Sequence, residues 1–382
     1  MSVRPAAVVS ACDRPNGLAA IRSLGRRGID VVAVDSDPRA VGMRSRYARA
    51  AVAPSPAVDE GAFVDFVAAL AERLDRPAVF FATSDVVLRA MAKNRRALGD
   101  RLLCPFPGWD VLGDVQDKWF QLRTAEAAGI PVPRTVSRPT VDLGFPMVVK
   151  PASTFPFRKR YPGVHAFLCA DLAEAESAYA RCADFRPLVQ EFVPGGEDAL
   201  YTLGTYVSAD GEALGLFCGR KLRQAPPVVG SCRVAEAVWV DEVVEQGLAF
   251  VRALEYRGIC QVEFKRDARD GAFRLIEINP RPWNWHGLAA ACGVDVIRLA
   301  YDDLSGMRPP VARMTGEGKR WAITLLGRTR PAPQRPPYVD AVFARDDVRP
   351  ALADVGRQVA SGGRRLSRLA RRAIGPRSGN GG

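Results

Sequence analysis

The stretch FRLIEINPRPW, residues 273–283, decides how the chain is read. Residues two apart in a strand share a face, so Glu277 and Asn279 point one way while Ile276 and Ile278 turn toward a core, and Arg281 follows two residues on. Two oxygen donors side by side on a rigid strand suit Mg²⁺.

The preceding segment, ICQVEFKRD (259–267), alternates in the same manner, with Val262 and Phe264 on one face and Gln261, Glu263 and Lys265 on the other. Between the segments, Ala268-Arg269-Asp270-Gly271 is a turn signal. A three-residue loop, Arg269-Asp270-Gly271 with Gly271 left-handed, sets Glu263 directly opposite Glu277. Carboxylates facing each other across a ladder repel unless a cation bridges them, so the hairpin predicts a metal. A loop one residue longer or shorter breaks this opposition. The bland alternative is an edge hairpin with solvated charges.

At 382 residues the chain has room for two or three domains, and 48% hydrophobic with 25% charged residues is an ordinary globular composition. No apolar run is long enough to span a bilayer, and the start MSVRPAAVVSAC turns polar too soon for a signal peptide, so a cytoplasmic protein is expected. Eight cysteines lie scattered without a CxxC pair, beside only two histidines, His165 and His286. That excludes the usual zinc spacings and argues for reduced, mainly buried thiols. The net charge of +12 suggests nucleic acid until it is located: six arginines (364, 365, 368, 371, 372, 377) fall in the last nineteen residues without an acid among them. That tail reads as a solvated end or as an arm touching an anionic surface, and no nucleic-acid partner is expected. Only seven of the 54 basic residues are lysine (93, 118, 150, 159, 221, 265, 319). In a chain that builds its surface with arginine, a lysine marks a place where a compact charge meets phosphate.

The first hundred residues alternate strands (6–12, 30–36 and AVFFATSD) with helices, the pattern of a small parallel sheet. The loop CDRPNG lacks GxGxxG, so the dinucleotide fingerprint fails although Asp35 stands where a ribose-binding acid belongs. Asp13, Asn16, Ser84 and Asp85, at the strand ends, are placed to touch a substrate. From Asp114 a helix leads to GFPMVVKPA, a strand ending at Lys150. A basic loop, STFPFRKRYPG (153–163), a helix over 171–183 and the strand of PLVQEFVPGGED complete a small lobe. Strands over 199–208 and 213–221 open a larger one. Past residue 310, Pro clusters and weak periodicity predict a loosely packed extension.

Lys118, Lys150, QEFVPGGE (190–197), Lys221 in GRKLRQ, Glu263 and EINPR follow one another in an order that resembles the ATP-grasp superfamily over about residues 1–305. Its ending EINPRPWNWHG is most similar to carboxylate-amine ligases of the D-aspartate ligase kind, beside the ATP-binding domain of carbamoyl-phosphate synthetase. The resemblance implies an α/β and α+β fold. A Rossmann-like pre-ATP-grasp domain (1–112) would precede an ATP-grasp domain (113–310; small lobe about 125–193, large lobe about 194–310), with an extension over 311–382. It implies an ATP-dependent carboxylate-amine or carboxylate-thiol ligase working through an acyl phosphate with Mg²⁺, or Mn²⁺ in its place, and releasing ADP and phosphate. Lys118 and Lys150 would meet the α- and β-phosphates; Gln190, Glu191, Phe192 and Val193 would face adenine, and Glu197 the ribose. Glu263, Glu277 and Asn279 would hold the metal, Lys221 or Arg223 the γ-phosphate, and Arg281 the carboxylate or acyl phosphate. Lys159 or Arg160 would close over the phosphates from the 153–163 loop, which is bulkier than the glycine-rich flap of many members. Trp283, Trp285 and His286 wall either a core or a pocket. Small-molecule carboxylate and amine substrates follow, with a homodimer the commonest assembly. The rival reading is a regulatory protein that binds ATP without turnover.

Overall fold

The computed structural model describes residues 4–74, 76–227, 230–323 and 338–357; the basic tail lies outside the described residues. Three sheets organise the described residues. The first is parallel, built from Ala6–Ser10, Val31–Asp35, Arg49–Val52, Ala78–Ala82 and Leu102–Leu103, with the first strand between the second and fourth. Its strands Ala6–Ser10, Val31–Asp35 and Ala78–Ala82 are buried throughout, as continuous apolar runs require when helices cover both faces. Helices Pro15–Gly25 and Glu60–Glu72 make crossovers, and Ser84 caps Asp85–Lys93 by accepting from the Val87 N–H.

The second sheet is antiparallel, with Thr135–Val136, Leu188–Glu191, Met147–Lys150 and Phe167–Cys169 side by side. Helix Leu172–Cys182 packs its Ala175, Ala178 and Cys182 into the core behind it. The third and largest sheet runs Phe273–Asn279, Gly258–Arg266, Leu200–Val207, Gly215–Ala225, Ser231–Ala237, Arg320–Ala322 and Tyr338–Asp340. Trp283 packs against this sheet at Gly204, where a Cβ would stand 2.1 Å from the indole ring; only glycine admits that approach.

The hairpin at the edge of the large sheet sets Glu263 opposite Glu277, as expected, but by another route. Arg266 pairs with Phe273 and the Asp267 N–H donates to the Ala272 carbonyl, so the loop is one residue longer than expected, 268–271. A bulge at Ile276 absorbs the slip and restores the opposition, with Gly271 left-handed (φ 79°). The turn is fixed by charge: Asp267, fully buried, accepts from both Arg269 and Arg274, which hold its carboxyl well below the usual range.

The loosely packed extension expected past residue 310 does not hold for 312–323 and 338–357. Arg320–Ala322 and Tyr338–Asp340 extend the large sheet, and Trp321 is buried. Asp347 is buried against the first helix, where Arg22 donates to it through Nε (3.0 Å) and the Ser45 hydroxyl and Arg46 N–H complete its shell (2.8 and 2.9 Å). Pro clusters hid this because two strands of three residues leave no period to read. All eight cysteines are free and buried, and among the described residues no helix is long and apolar enough to cross a membrane.

Candidate active site

An open cleft of about 320 Å³ lies between the second and third sheets, with Asp85 of helix Asp85–Lys93 at its margin. It is lined by Lys118, Lys150, Gln190 to Val193, Lys221, Glu263, Glu277, Asn279 and Arg281, among others. Asp117 caps helix Lys118–Ala127 and thereby aims Lys118, whose ammonium donates to Thr154 Oγ1 (3.0 Å) and stands 3.6 Å from Glu277. Lys150 ends its strand on the facing wall, 8% exposed, and forms no hydrogen bond or ion pair with a described residue. Burial, reinforced by Lys118 and only partly offset by Glu277, lowers its pKa to about 8.

Across the cleft, Lys221 donates to Glu263 (2.9 Å). Burial opposes the charged form of Lys221, but Glu263 leads the groups that outweigh it, and the ammonium stays more basic than usual. Burial likewise opposes the Glu277 carboxylate, yet Lys118, Lys150 and Lys221 together keep its pKa below the ordinary value. Both opposed carboxylates are therefore balanced by lysines. Asn279 donates its amide to Gln261 (3.4 Å) and Glu277 (3.3 Å) and turns its oxygen to Arg281 (3.2 Å).

Two carboxylates facing one another with an amide beside them are an oxygen-donor set of the kind a hard divalent cation takes, with Lys118 and Lys221 standing as the cations on those carboxylates here. The residues present fit Mg²⁺. For the Asn279 oxygen to join, its amide must turn over, exchanging oxygen for nitrogen toward Glu277.

Other expected positions are distributed differently. The Gln190 amide is spent on Thr135 (2.8 Å), and the Glu191 carboxylate accepts from the Arg134 N–H and from Arg269. Only Phe192 and Val193 lie past the last ladder pair, Met147 with Glu191. Glu197 does not line the cleft; it accepts the Gln224 N–H (3.2 Å), and the Gln224 side chain reaches the cavity. Arg223 is exposed and outside the cleft, because register shifts on either side of it turn it out and bring Gln224 in. The segment 153–163 is not a loop throughout: Thr154–Arg160 is helical, and its period puts Arg158 in the wall while Lys159 and Arg160 face solvent.

Trp283, Trp285 and His286 are buried, and both indoles also border the cleft. Asn16 is buried and structural, donating to the Thr83 and Pro282 carbonyls, and Asp13 is exposed. Asp85 alone of the four strand-end residues lines the cleft, gripping Arg281 on both oxygens (2.6 and 3.2 Å). Sequence reasoning missed Arg158, Gln224, Gln261 and His165 in the lining. Lys265 follows the alternation with Glu263 and sits over the Phe192 ring at 4.4 Å.

Residues 233–302 match the family described as the carbamoyl-phosphate synthase L chain, ATP binding domain. D-aspartate ligase of Enterococcus faecium is 22% identical over an alignment of 257 residues that covers 62% of this chain; the chain spans about three-fifths (61%) of that relative's length. Among solved structures, biotin carboxylase from Campylobacter jejuni, in a β,γ-ATP complex, superposes with a TM-score of 0.65 at 16% identity, over 81% of this chain and 74% of the other. N5-carboxyaminoimidazole synthetase from Staphylococcus aureus, complexed with ADP, gives 0.61 at 16% identity over 82% and 80%. The chain carries the ATP-grasp fold, and over residues 233–302 it matches the sequence of an ATP-binding domain of that family.

Proposed function

We propose that the chain is an ATP-dependent ligase. A substrate carboxylate takes the γ-phosphoryl group of ATP, and an amine, or a thiol, then displaces phosphate from the acyl phosphate, leaving ADP and phosphate. The observation that carries this reading is Lys150: a buried ammonium without a carboxylate partner, at a strand end and beside Lys118, calls for an anionic ligand such as the nucleotide phosphates. Phosphoryl transfer asks a protein mainly for positioning and charge stabilisation, and a wall of fixed cations supplies both.

In this reading Lys118 and Lys150 hold the inner phosphates, while Phe192 and Val193 offer backbone groups to adenine. Glu197 acts through Gln224 rather than on the ribose directly. Lys221 orients Glu263 and reaches the terminal phosphate. Glu263, Glu277 and Asn279 would hold Mg²⁺, which when bound draws charge from the phosphate oxygens. Arg281, aligned by Asp85, faces the carboxylate. The amino-terminal parallel sheet serves as a Rossmann-like domain over 1–112 that closes one end of the cleft, the two lobes over 113–310 follow, and the relatives' names favour small-molecule carboxylate and amine substrates over nucleic acid.

The test is ADP release over a panel of carboxylates with hydroxylamine present, which captures an acyl phosphate as a hydroxamate. Hydroxamate formed only with ATP and a panel acid supports the ligase. Tight ATP binding without ADP above background across the panel would instead favour a regulatory nucleotide binder.

A further inference from the structure

The four carboxylates that line the cleft are all committed to cations. Asp85 gives both oxygens to Arg281 (2.6 and 3.2 Å), and Glu191 accepts from Arg269 (2.8 Å) and from the Arg134 N–H (2.9 Å). Lys221 donates to Glu263 at 2.9 Å, and Lys118 stands 3.6 Å from Glu277. Lys150, with a pKa of about 8, is mostly charged at neutral pH. The Cys232 thiol borders the cleft too, but burial pushes it up to about 12, and its Sγ donates to the Val234 carbonyl (3.4 Å). One lining group that can take up a proton at neutral pH is left, the His165 imidazole, and it makes no hydrogen bond with a described residue.

Strand pairing places this ring. Val149 pairs with Phe167 where Met147–Lys150 and Phe167–Cys169 run side by side, so His165 enters the ladder beside the strand end that carries Lys150. Half-buried there, it feels the charges of Arg158 on the preceding helix, Glu277 and Lys118 on other walls of the cleft, and Arg14 just before the first helix. Burial and then Arg158 lower its pKa, Glu277 pulls the other way, and Lys118 and Arg14 add to the lowering. The ring is therefore uncharged at neutral pH, with a lone pair free to accept.

We propose that His165 is the general base of the second half-reaction, taking a proton from the amine as it attacks the acyl phosphate. The inference rests on the ligase reading and adds a residue to it. An ordinary amine arrives as an ammonium and sheds two protons in becoming an amide. Its nitrogen bonds to the acyl carbon, the bond from that carbon to the phosphate oxygen breaks, and the oxygen leaves with the electron pair. One proton departs with it as hydrogen phosphate. The other needs a base, and His165, open in part to water, can take it and pass it to solvent.

Hydroxylamine separates the steps, because it is largely unprotonated at neutral pH and the one proton it sheds leaves with the phosphate. Wild type, His165→Ala and His165→Gln are compared at pH 7 with hydroxylamine and with ammonium chloride, using the acid that gives most hydroxamate. Both variants should form hydroxamate at close to the wild-type rate with ATP affinity unchanged, and should form the amide from ammonium at least about a hundredfold more slowly. Added imidazole should restore part of that loss in His165→Ala. Equal loss with both nucleophiles overturns the proposal, as does an unchanged rate with ammonium. A second measurement is the ¹⁵N spectrum of protein labelled at histidine, whose two imidazoles are told apart by His165→Gln. With Mg²⁺ and a non-hydrolysable ATP analogue at pH 7, an uncharged His165 ring supports the proposal, whereas an imidazolium makes it a phosphate ligand and overturns it. If wild type does not use ammonium, this spectrum decides. If wild type gives no hydroxamate with any acid, the ligase reading itself falls; hydroxamate formed without any effect of His165 on ammonium removes only the base.

Discussion

Replacing Lys150 by methionine should make the ligand-free protein more stable while removing its response to ATP. The Lys150 ammonium is buried without a partner, and its pKa falls from the ordinary 10.5 to about 8. At about 1.4 kcal/mol per pH unit, the charged form costs the folded state about 3 kcal/mol at neutral pH. Methionine keeps the length of the stem and drops the charge, so Lys150→Met recovers up to about that amount. The sign over pH follows from proton binding. Between pH 8 and 10.5 the unfolded chain holds a proton on this lysine that the folded chain has released, so wild-type stability rises with pH relative to the variant through that window. Below pH 8 both states are protonated and the full cost is present. Above 10.5 both are neutral and the advantage of the variant disappears. The assay is equilibrium urea unfolding of both proteins with a metal chelator present, at pH 7, 9 and 10.5, repeated at pH 7 with Mg²⁺ and ATP. ATP at a hundred times its Kd adds about 2.7 kcal/mol to the wild type and little to the variant, which brings the two close together. A ligand-free Lys150→Met protein no more stable than wild type at pH 7 would refute the reasoning, because the ammonium would then be compensated.

Asp347→Ala strips the counter-ion from buried Arg22 and should cost about 3–5 kcal/mol, read as a lowered denaturation midpoint; an unchanged midpoint would mean the carboxyl-terminal segment adds nothing to the fold. Glu263→Gln should raise the Mg²⁺ concentration for half-maximal ADP release by at least the about 10–100-fold that loss of an outer partner costs a metal site, and an unaltered Mg²⁺ dependence removes Glu263 from the set. Arg281→Ala should abolish ligation with ATP binding largely kept, measured by nucleotide titration beside hydroxamate formation; equal loss of both would move Arg281 to the nucleotide.

The two strands are legible from their alternation, but the register is not: the turn is one residue longer than the pattern implies, and only a bulge at Ile276 restores the opposition of Glu263 and Glu277. The bulge that turned Arg223 outward left no sequence signal, since a register shift depends on the partner strand. A basic segment with two prolines and a glycine reads as a loop, in which nothing singles out Arg158 beside Lys159 and Arg160. Once 154–160 is helical, a rotation of about 100° per residue decides which of three neighbouring cations faces inward. The contact of Asp85 with Arg281 spans 196 positions and depends on how two sheets pack, which no local period records. Asp85 could be shortlisted only as a residue at a strand end.

The strands Arg320–Ala322 and Tyr338–Asp340 bear on how this protein can be cut. They cover the side of Ser231–Ala237 that faces away from Gly215–Ala225. A version ending near residue 310 would keep every cleft residue named above yet leave the backbone of Val234 to Glu236 unpaired along an open border. Such borders recruit strands from other molecules. A shortened protein of this kind is expected to self-associate, and its turbidity would be misread as a property of the cleft-forming sheets rather than of the missing rim.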